Sequence, residues 1–220
     1  MVQKPVHQTA YENLRDKILF GTLAPGQAIT IQGLADTLDM GMTPVREAIR
    51  RLIAAGALNM MGNRRVMVPE LSESCIEELD FMRKSLEPEL TRRAATRIVA
   101  RQIAFLKQRD DALNAAIGMG DIHAYLKHNY DFHACLYDIA DAPIIAATVD
   151  RLWLRFGPSL RVVCGRYGTL NLPDKHAELL EALMRRDPDA AAAAMAEDVH
   201  QGMVQIRAAV CATAPPDRFD

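Results

Sequence analysis

The sequence predicts a mainly α-helical protein in two parts: three short helices with a hairpin, then an antiparallel bundle of about six helices. Aromatic residues make up only 5% of the 220-residue chain, whereas hydrophobic residues make up 50%. Alanine, leucine and methionine are abundant, and long stretches lack clusters of β-branched residues, which favours helices over strands. A chain of this length and apolar content can bury one large core or two smaller ones.

Residues 10–20 and 31–40 form the first two predicted helices. Thr30 can act as N-cap of the second, because a threonine hydroxyl accepts a hydrogen bond from a free backbone N–H of the first helical turn. Gly41 supplies the turn that follows. The first helix ends at a glycine- and proline-rich segment, and its apolar residues share one face: Ala10, Leu14, Ile18 and Leu19.

The third predicted helix lies in "MTPVREAIRRLIAAG", residues 42–56. Thr43 can cap it, and Pro44 suits the first helical position because its missing N–H costs nothing there. Gly56 ends it. A hairpin around Gly62 follows, so the first part is predicted to be a winged helix-turn-helix. A complete apolar stripe predicts which residues of the third helix are buried: Val45, Ala48, Ile49, Leu52 and Ile53.

Basic residues on the opposite face of this helix indicate DNA binding. Arg46 and Arg50 lie one turn apart, with Thr43 at the N-terminal end, as in a recognition helix that enters the major groove. The guanidinium fork matches guanine O6 and N7, and threonine hydroxyls suit phosphate. Arg64 and Arg65 at the hairpin tip are expected to reach the DNA backbone or the minor groove, and Gly62 is predicted to be part of the same DNA-binding surface. The alternative is that these charges are only solvated.

The charge balance differs between the two predicted domains, residues 1–70 and residues 71–220. The first holds eight Lys/Arg and six Asp/Glu, a balance of +2, and the second holds 18 against 22, a balance of −4. This difference favours two units with different partners. The second domain divides at glycine and proline positions into six predicted helical segments: 73–97, 100–117, 121–140, 142–164, 174–187 and 188–211.

The sequence shows no targeting signal and no cysteine motif of the kind that binds metal. No apolar run approaches the ~18 residues of a membrane span, and the first residues lack the apolar segment of a secretory signal. We therefore expect a cytoplasmic protein without a membrane partner. The four cysteines carry no CxxC pair, which argues against a zinc ribbon and favours buried free thiols: Cys75, Cys135, Cys164 and Cys211.

Polar residues on two apolar stripes of the second domain need partners if they are buried. Asn129 and His133 lie one turn apart on the predicted 121–140 helix, and His176 shares a stripe with three leucines. These side chains can satisfy one another by hydrogen bonds. Alternatively, the imidazole nitrogens can bind a metal ion.

Several strings resemble the GntR superfamily of bacterial transcription regulators. Similarity to its DNA-binding domain is carried by "ILFGTLAPGQAI", "LADTLDMGMTPVREAIRRLIAAGAL" and "GNRRVMV". Similarity to the all-helical (FCD-type) effector domain of its FadR-like branch is carried by "RKSLEPELTRRAA", "NYDFHACLYDIADAP" and "KHAELLEALMRRDPDAAAAAM". The resemblance covers nearly the whole chain.

The resemblance implies a metal site in the second domain. Many members of the family hold a divalent ion, such as zinc or nickel, with an Asp and a His one turn apart and two further His. Asn129, His133 and His176 match the first three positions, with Asn replacing Asp. The fourth position is Asp198 or His200. Helical periodicity leaves both equally displaced from the apolar stripe of the last segment, and the small neighbours of Asp198 favour it.

The resemblance also implies an effector pocket. Arg83 matches a family arginine that commonly lines this pocket, and Arg151 and Arg155 lie one turn apart on the 142–164 segment. A metal ion with arginines suits a small organic acid, whose oxygens accept both coordination and bidentate hydrogen bonds. The alternative is that these arginines pair with Glu87 or Glu89 or are solvated.

The predicted function is a ligand-responsive regulator, a repressor that binds operator DNA as a homodimer. Its effector would shift the equilibrium between dimer geometries with different half-site spacing. One alternative is a metal-dependent enzyme that uses the His cluster, with the N-terminal domain as a tether. No acid/base or nucleophile pattern accompanies the cluster, so we expect no enzyme. Another alternative is a regulator whose cluster is purely structural.

Overall fold

A computed structural model describes residues 4–167 and 175–211. Within these ranges the chain forms nine helices and three short strands, which confirms the predicted mainly α fold with a small N-terminal sheet. The elements in chain order are α1 (Val6–Leu19), β1 (Ala28–Thr30), α2 (Ile31–Leu38), α3 (Met42–Ala54), β2 (Asn59–Met61), β3 (Arg65–Met67), α4 (Glu73–Arg97), α5 (Ala100–Met119), α6 (Ile122–Ile139), α7 (Pro143–Tyr167), α8 (Lys175–Met184) and α9 (Pro188–Cys211).

The elements group into two compact units. The first comprises Met1–Glu70 together with Arg151–Ser159, and the second comprises Leu71–Asp150 with Leu160–Asp220. The middle of α7 thus packs with the N-terminal helices, which the sequence did not predict. Gly157 allows this close approach, because a Cβ at this position would lie 3.2 Å from the carbonyl oxygen of Leu19.

The three helices of the first unit enclose the predicted apolar stripes. All four residues predicted on α1 are buried, and so are Val45, Ala48, Ile49 and Leu52 of α3. Ile53, the fifth predicted residue of the α3 stripe, is only half-buried. Periodicity therefore predicts the buried faces of α1 and α3, because each short helix has one face toward its neighbours. It did not predict the buried residues that the middle of α7 adds to this unit, such as Leu152 and Phe156.

The hairpin is extended by a third strand. β3 pairs antiparallel with both β1 and β2, so the strand order is β1-β3-β2. Strand β1 was not predicted, because its three residues, "AIT", show no alternation pattern of their own. These residues form a strand because their backbone pairs with β3. In this pairing Ile29 lies opposite the buried Val66.

The start of α2 confirms the predicted cap, since the Thr30 hydroxyl accepts a hydrogen bond from the backbone N–H of Gly33 at 2.9 Å. The prediction for the start of α3 was wrong. Helix α3 begins at Met42, one residue before Thr43, and no side-chain cap bond is present there among the described residues. Pro44 is the third helical residue, where an N–H is still not needed for the helix.

The turn between α2 and α3 also differs from the prediction. Gly41 has an extended backbone with φ −63°. The left-handed conformation falls instead on Asp39, with φ 50°. Aspartate tolerates this region because its short side chain bonds locally to the backbone. At the other end of α3, Gly56 has φ 73° and ends the helix as predicted.

All six predicted helical segments form helices, α4 to α9, and they belong to the second unit except for the middle of α7. Helix α4 packs on α9 and α6, α5 packs on α6 and α8, and α8 packs on α9. Helix α8 ends at Met184, three residues before the predicted end, and Arg186 then takes a left-handed φ of 54°. The predicted start of that segment, residue 174, lies outside the described residues.

The predicted buried thiols are confirmed only in part. Cys164 is buried, whereas Cys75 and Cys135 are half-buried, and all three are free thiols. The side chain of Cys211 lies outside the described part of the structure. Burial raises the pKa of the Cys164 thiol to about 11. In the described ranges, no helix has the length and apolar content needed to cross a membrane.

Candidate nucleic-acid interface and metal centre

Helix α3 separates its apolar and basic residues onto two faces. Thr43, Arg46 and Arg50 are all exposed, on the side opposite the buried stripe. Arg50 lies 3.5 Å from Glu47, measured from Nη1 to Oε2, and both side chains are largely solvated. Such an exposed ion pair contributes little stability. Arg50 can therefore exchange this partner for a phosphate or a base at low cost.

An open groove of about 680 Å³ runs along this face of α3. Its other wall is the N-terminal end of α1, where Val6 and His7 lie. Thr43, Arg46 and Arg50 line the groove. The structure thus brings the three predicted DNA-binding residues of the helix to one concave, partly cationic surface.

The third arginine of α3 has a structural role. Arg51 donates a hydrogen bond from Nη1 to Oε1 of Gln8 at 2.9 Å, and its guanidinium carbon lies 3.7 Å from the ring centroid of Tyr11. Both partners belong to α1. This cation–π contact helps to hold α1 against α3. Arg51 thus already has partners on α1, although its side chain is exposed like those of Arg46 and Arg50.

The hairpin tip connects β2 to β3 through Gly62, Asn63 and Arg64. Asn63 and Arg64 have left-handed backbones, with φ 59° and 54°. Arg64 is exposed. Around Gly62, no atom of the described residues lies within 4 Å of the position that a Cβ would occupy. The folded protein itself does not require a glycine at this position.

The structure brings together His133 of α6, His176 of α8 and Asp198 of α9. His133 Nε2 lies 3.3 Å from Asp198 Oδ2 and 3.4 Å from His176 Nε2. His176 Nε2 lies 3.8 Å from Asp198 Oδ1. Both imidazoles are buried, and the three potential ligand atoms lie within 4.8 Å of one another. Two imidazole nitrogens and one carboxylate oxygen are ligands that Zn²⁺ and similar ions prefer, so this donor set fits a divalent ion.

Asp198 is strongly stabilised in its charged form. Burial raises the pKa of this carboxyl, but a hydrogen bond from His133 and the charges of His133, His176 and Arg83 lower it more. The resulting pKa is about 2. The cluster therefore holds a carboxylate anion that favours a positive charge at its centre.

Each imidazole has a second polar partner at its outer nitrogen. His176 Nδ1 lies 3.1 Å from Asp110 Oδ1. His133 Nδ1 lies 3.2 Å from the Tyr137 hydroxyl, which donates to Glu87 Oε2 at 2.6 Å. Sequence reasoning missed the roles of Asp110 and Tyr137. A signal for Asp110 existed, because this acid lies on the same α5 stripe as the buried residues Leu106 and Leu113.

Asn129 and His200 are the two predicted metal ligands that are not among the three clustered residues. Asn129 is half-buried and precedes His133 by one turn of α6. His200 is exposed, whereas Asp198 on the same helix faces the two imidazoles. The choice between them as a ligand could not be derived from periodicity, and the tertiary packing of α9 places only Asp198 in this group.

The three predicted effector-binding arginines belong to two different units. Arg83 is buried in the second unit and donates from Nε and Nη2 to the two carboxylate oxygens of Glu87, at 2.5 and 3.2 Å. Burial lowers the pKa of this guanidinium, but the charge and hydrogen bond of Glu87, together with Tyr137 and Asp198, raise it above its ordinary value. Arg151 and Arg155 are exposed residues of the first unit. The ion pair with Glu87 was the alternative interpretation of Arg83.

Comparison with known families identifies both units. Residues 6–68 match the model of bacterial regulatory proteins of the gntR family, and residues 78–201 match the FCD domain. The chain belongs to the GntR family. It is a DNA-binding transcriptional regulator of that family with an FCD effector domain, as the resemblance implied.

Relatives of this GntR-family regulator cover almost its whole length. The HTH-type transcriptional regulator McbR of Escherichia coli K12 is 28% identical over 197 residues, which are 87% of this chain and 88% of McbR. The HTH-type transcriptional repressor RspR of the same strain is 26% identical over 93% of this chain and 91% of RspR. The solved structure of E. coli McbR/YncC superimposes with a TM-score of 0.88 at 25% identity, covering 94% of this chain and 99% of that chain. These families and relatives are transcriptional regulators and not enzymes.

Proposed function

We propose that this GntR-family regulator is a repressor that binds operator DNA as a homodimer and responds to a small organic acid bound beside a metal ion. One observation carries the proposal: a basic helix face lies in one compact unit, and a buried His133, His176 and Asp198 cluster lies in the other. The repressor role is supported by the similarity to RspR, which is named as a repressor. In this proposal residues 1–70 bind DNA and residues 71–220 hold the effector.

The DNA-binding step follows from the exposed face of α3. Arg46 and Arg50 read base edges in the major groove, and Thr43 contacts phosphate at the N-terminal end of the helix. Gly62 and Arg64 at the hairpin tip approach the DNA backbone or the minor groove. Because one helix reads only a few base pairs, a second copy of the chain is needed for a stable complex on two half-sites.

The metal ion would be held by Nε2 of His133, Nε2 of His176 and the Asp198 carboxylate, with Asn129 adjacent. A bound zinc, nickel or similar divalent ion supplies Lewis acidity toward an anionic ligand. This donor set contains one negative charge only, since Asn129 stands where many family members have Asp. The charges of the ion and one carboxylate leave a net positive centre, which attracts an acid.

The effector would be a small carboxylate. Its oxygens can coordinate the ion, and the buried Arg83 adds a positive charge close to Asp198. Arg151 and Arg155 remain predicted effector contacts. Effector binding would favour one dimer geometry over another and so change the spacing of the two DNA-binding units.

A thermal-shift screen of small carboxylates, with and without Zn²⁺ or Ni²⁺, tests the effector and the metal together. We expect at least one acid to raise the Tm of metal-loaded protein and to have little effect on chelated protein. The same acid should weaken binding to an operator selected from genomic fragments, measured by fluorescence anisotropy. Light scattering should give twice the chain mass of 24.4 kDa.

The screen also tests the alternative that the cluster is only a satisfied polar network. In that case purified protein would be metal-free, its melting would be unaffected by chelator, and the full effector response would occur without metal. An effector that strengthens operator binding would contradict the simple repressor mechanism and would indicate a co-repressor.

A further inference from the structure

We propose that Asp110 and Tyr137 are positioning residues that determine which ring nitrogen of each histidine carries the proton. This inference rests on the proposed metal centre. Asp110 lies on α5 and Tyr137 on α6, and each contacts the outer Nδ1 of a different imidazole. Their role is to leave both Nε2 atoms unprotonated toward the ion.

The Asp110 carboxylate determines the tautomer of His176. An ionised carboxylate only accepts hydrogen bonds, so the 3.1 Å contact between Asp110 Oδ1 and His176 Nδ1 requires a proton on Nδ1. A neutral imidazole carries one ring proton. In this tautomer Nε2 has a lone pair, and it points toward His133 and Asp198. The ring is also held by stacking on Phe132, with the centroids 4.0 Å apart.

The Tyr137 hydroxyl determines the tautomer of His133. Tyr137 donates its single O–H proton to Glu87 Oε2 at 2.6 Å. Toward His133 Nδ1, 3.2 Å away, the tyrosine oxygen can then only accept, which requires a proton on Nδ1. Arg83 donates to both oxygens of Glu87 and orients this acceptor.

When both imidazoles are neutral, the two outer contacts leave a lone pair on each Nε2 atom. These Nε2 atoms lie 3.4 Å apart, and Asp198 oxygens lie 3.3 and 3.8 Å from them. A proton or a metal ion between these atoms offsets the repulsion among them. Outer partners of metal-bound histidines act in this way, and removing one typically weakens metal affinity by about 10–100-fold.

Zn²⁺ affinity, measured by competition with a chromogenic chelator, tests Asp110. Asp110→Ala should bind Zn²⁺ about 10–100-fold more weakly than the parent protein. Asp110→Asn should lose less, because an amide oxygen still accepts from Nδ1, and it keeps the buried site filled if the alanine variant does not fold. Asp111→Ala is the matched control, since Asp111 is exposed and pairs with Lys107. Equal affinity of the parent, Asp110→Asn and Asp110→Ala proteins would overturn the inference.

Two-bond ¹H–¹⁵N NMR spectra of metal-free protein at pH 8 report the tautomers directly and do not depend on metal binding. We expect the Nδ1–H form of both histidines in the parent protein. Asp110→Ala should change the tautomer signals of His176, and Tyr137→Phe those of His133. Parent protein that shows these tautomers but binds no Zn²⁺ would contradict the metal centre and leave the positioning roles supported. Nε2–H tautomers in the parent protein would refute the positioning roles.

Discussion

The Nε2 atoms of His133 and His176 face each other at 3.4 Å, although 43 positions separate the two residues in the chain. Neither helix alone shows this relationship. Asp198, from a third helix, completes the group. The consequences for metal binding, stability and DNA binding can be measured separately, because the cluster and the basic face of α3 belong to different compact units.

Removal of the Asp198 carboxylate should abolish metal binding. Asp198→Ala protein purified without chelator should contain far less than one divalent ion per chain, whereas the parent should contain close to one. EDTA should lower the Tm of the parent and not that of the variant, since an ion that binds only the folded state stabilises it by mass action. His200→Ala is the matched control, because His200 is exposed on the same helix. Loss of the ion in His200→Ala and its retention in Asp198→Ala would reverse the assignment.

Substitution of an arginine in α3 and of an arginine in the β2–β3 hairpin should affect DNA binding differently. Arg46→Ala should cost ~1–3 kcal/mol of operator affinity and relax the preference at one position of each half-site. Arg64→Ala should weaken binding to all sequences alike and reduce the salt slope by about one. Both are measured by anisotropy titrations over a range of salt concentrations. Unchanged operator affinity of Arg46→Ala would contradict base reading by this residue.

Gly62→Ala should change DNA binding without changing the stability of the fold. Within the described residues, nothing lies within 4 Å of the new methyl group, so we expect the Tm to stay within about 1 °C. If the hairpin backbone approaches DNA closely, the same methyl group should weaken operator binding by about tenfold or more. Gly118→Ala, at another open position, serves as the control. Full operator affinity would show that the hairpin backbone remains distant from DNA.

Two helical glycines should respond oppositely to substitution by alanine. Gly202→Ala should stabilise the protein by ~0.5–1 kcal/mol, because alanine is the better helix former and no described atom lies within 4 Å. Gly157→Ala should destabilise the first unit by ~1–3 kcal/mol, since its methyl group would lie 3.2 Å from the Leu19 carbonyl oxygen. Urea unfolding followed by circular dichroism measures both. A stabilised Gly157→Ala protein would mean that α7 does not pack closely on α1.

Acid should remove the stabilisation that Asp198 supplies in the metal-free protein. Its pKa is lowered to about 2 in the folded state, against an ordinary value near 3.9. A lowered pKa means that the unfolded state takes up the proton first. The stabilisation is therefore complete above about pH 4 and is lost as the pH falls to about 2. The difference in unfolding free energy between the parent and Asp198→Asn should shrink over this interval. A constant difference from pH 5 to pH 2 would exclude a depressed pKa.

Local sequence signals predicted most of the fold. Apolar periodicity predicted the buried faces of α1 and α3, because each of these helices has one side toward a core. Helical patterns separated by glycine and proline predicted the six helices from α4 to α9. The start of α3 and the turn before it were wrong. A threonine cap and a glycine turn are strong tendencies, but here Gly41 is the N-cap, Met42 begins the helix and Asp39 takes the left-handed conformation.

The sequence by itself determined the family, the basic face of α3 and two histidines on apolar stripes, since these features depend on residues close together in the chain. Only the tertiary structure decided which residues meet across helices. It placed Asp198 and not His200 beside the imidazoles, added Asp110 and Tyr137 behind them, and paired β1 with β3. The physical reason is that periodicity specifies the face of a helix but not its rotation or axial position against a distant neighbour. Those depend on the packing of the whole core.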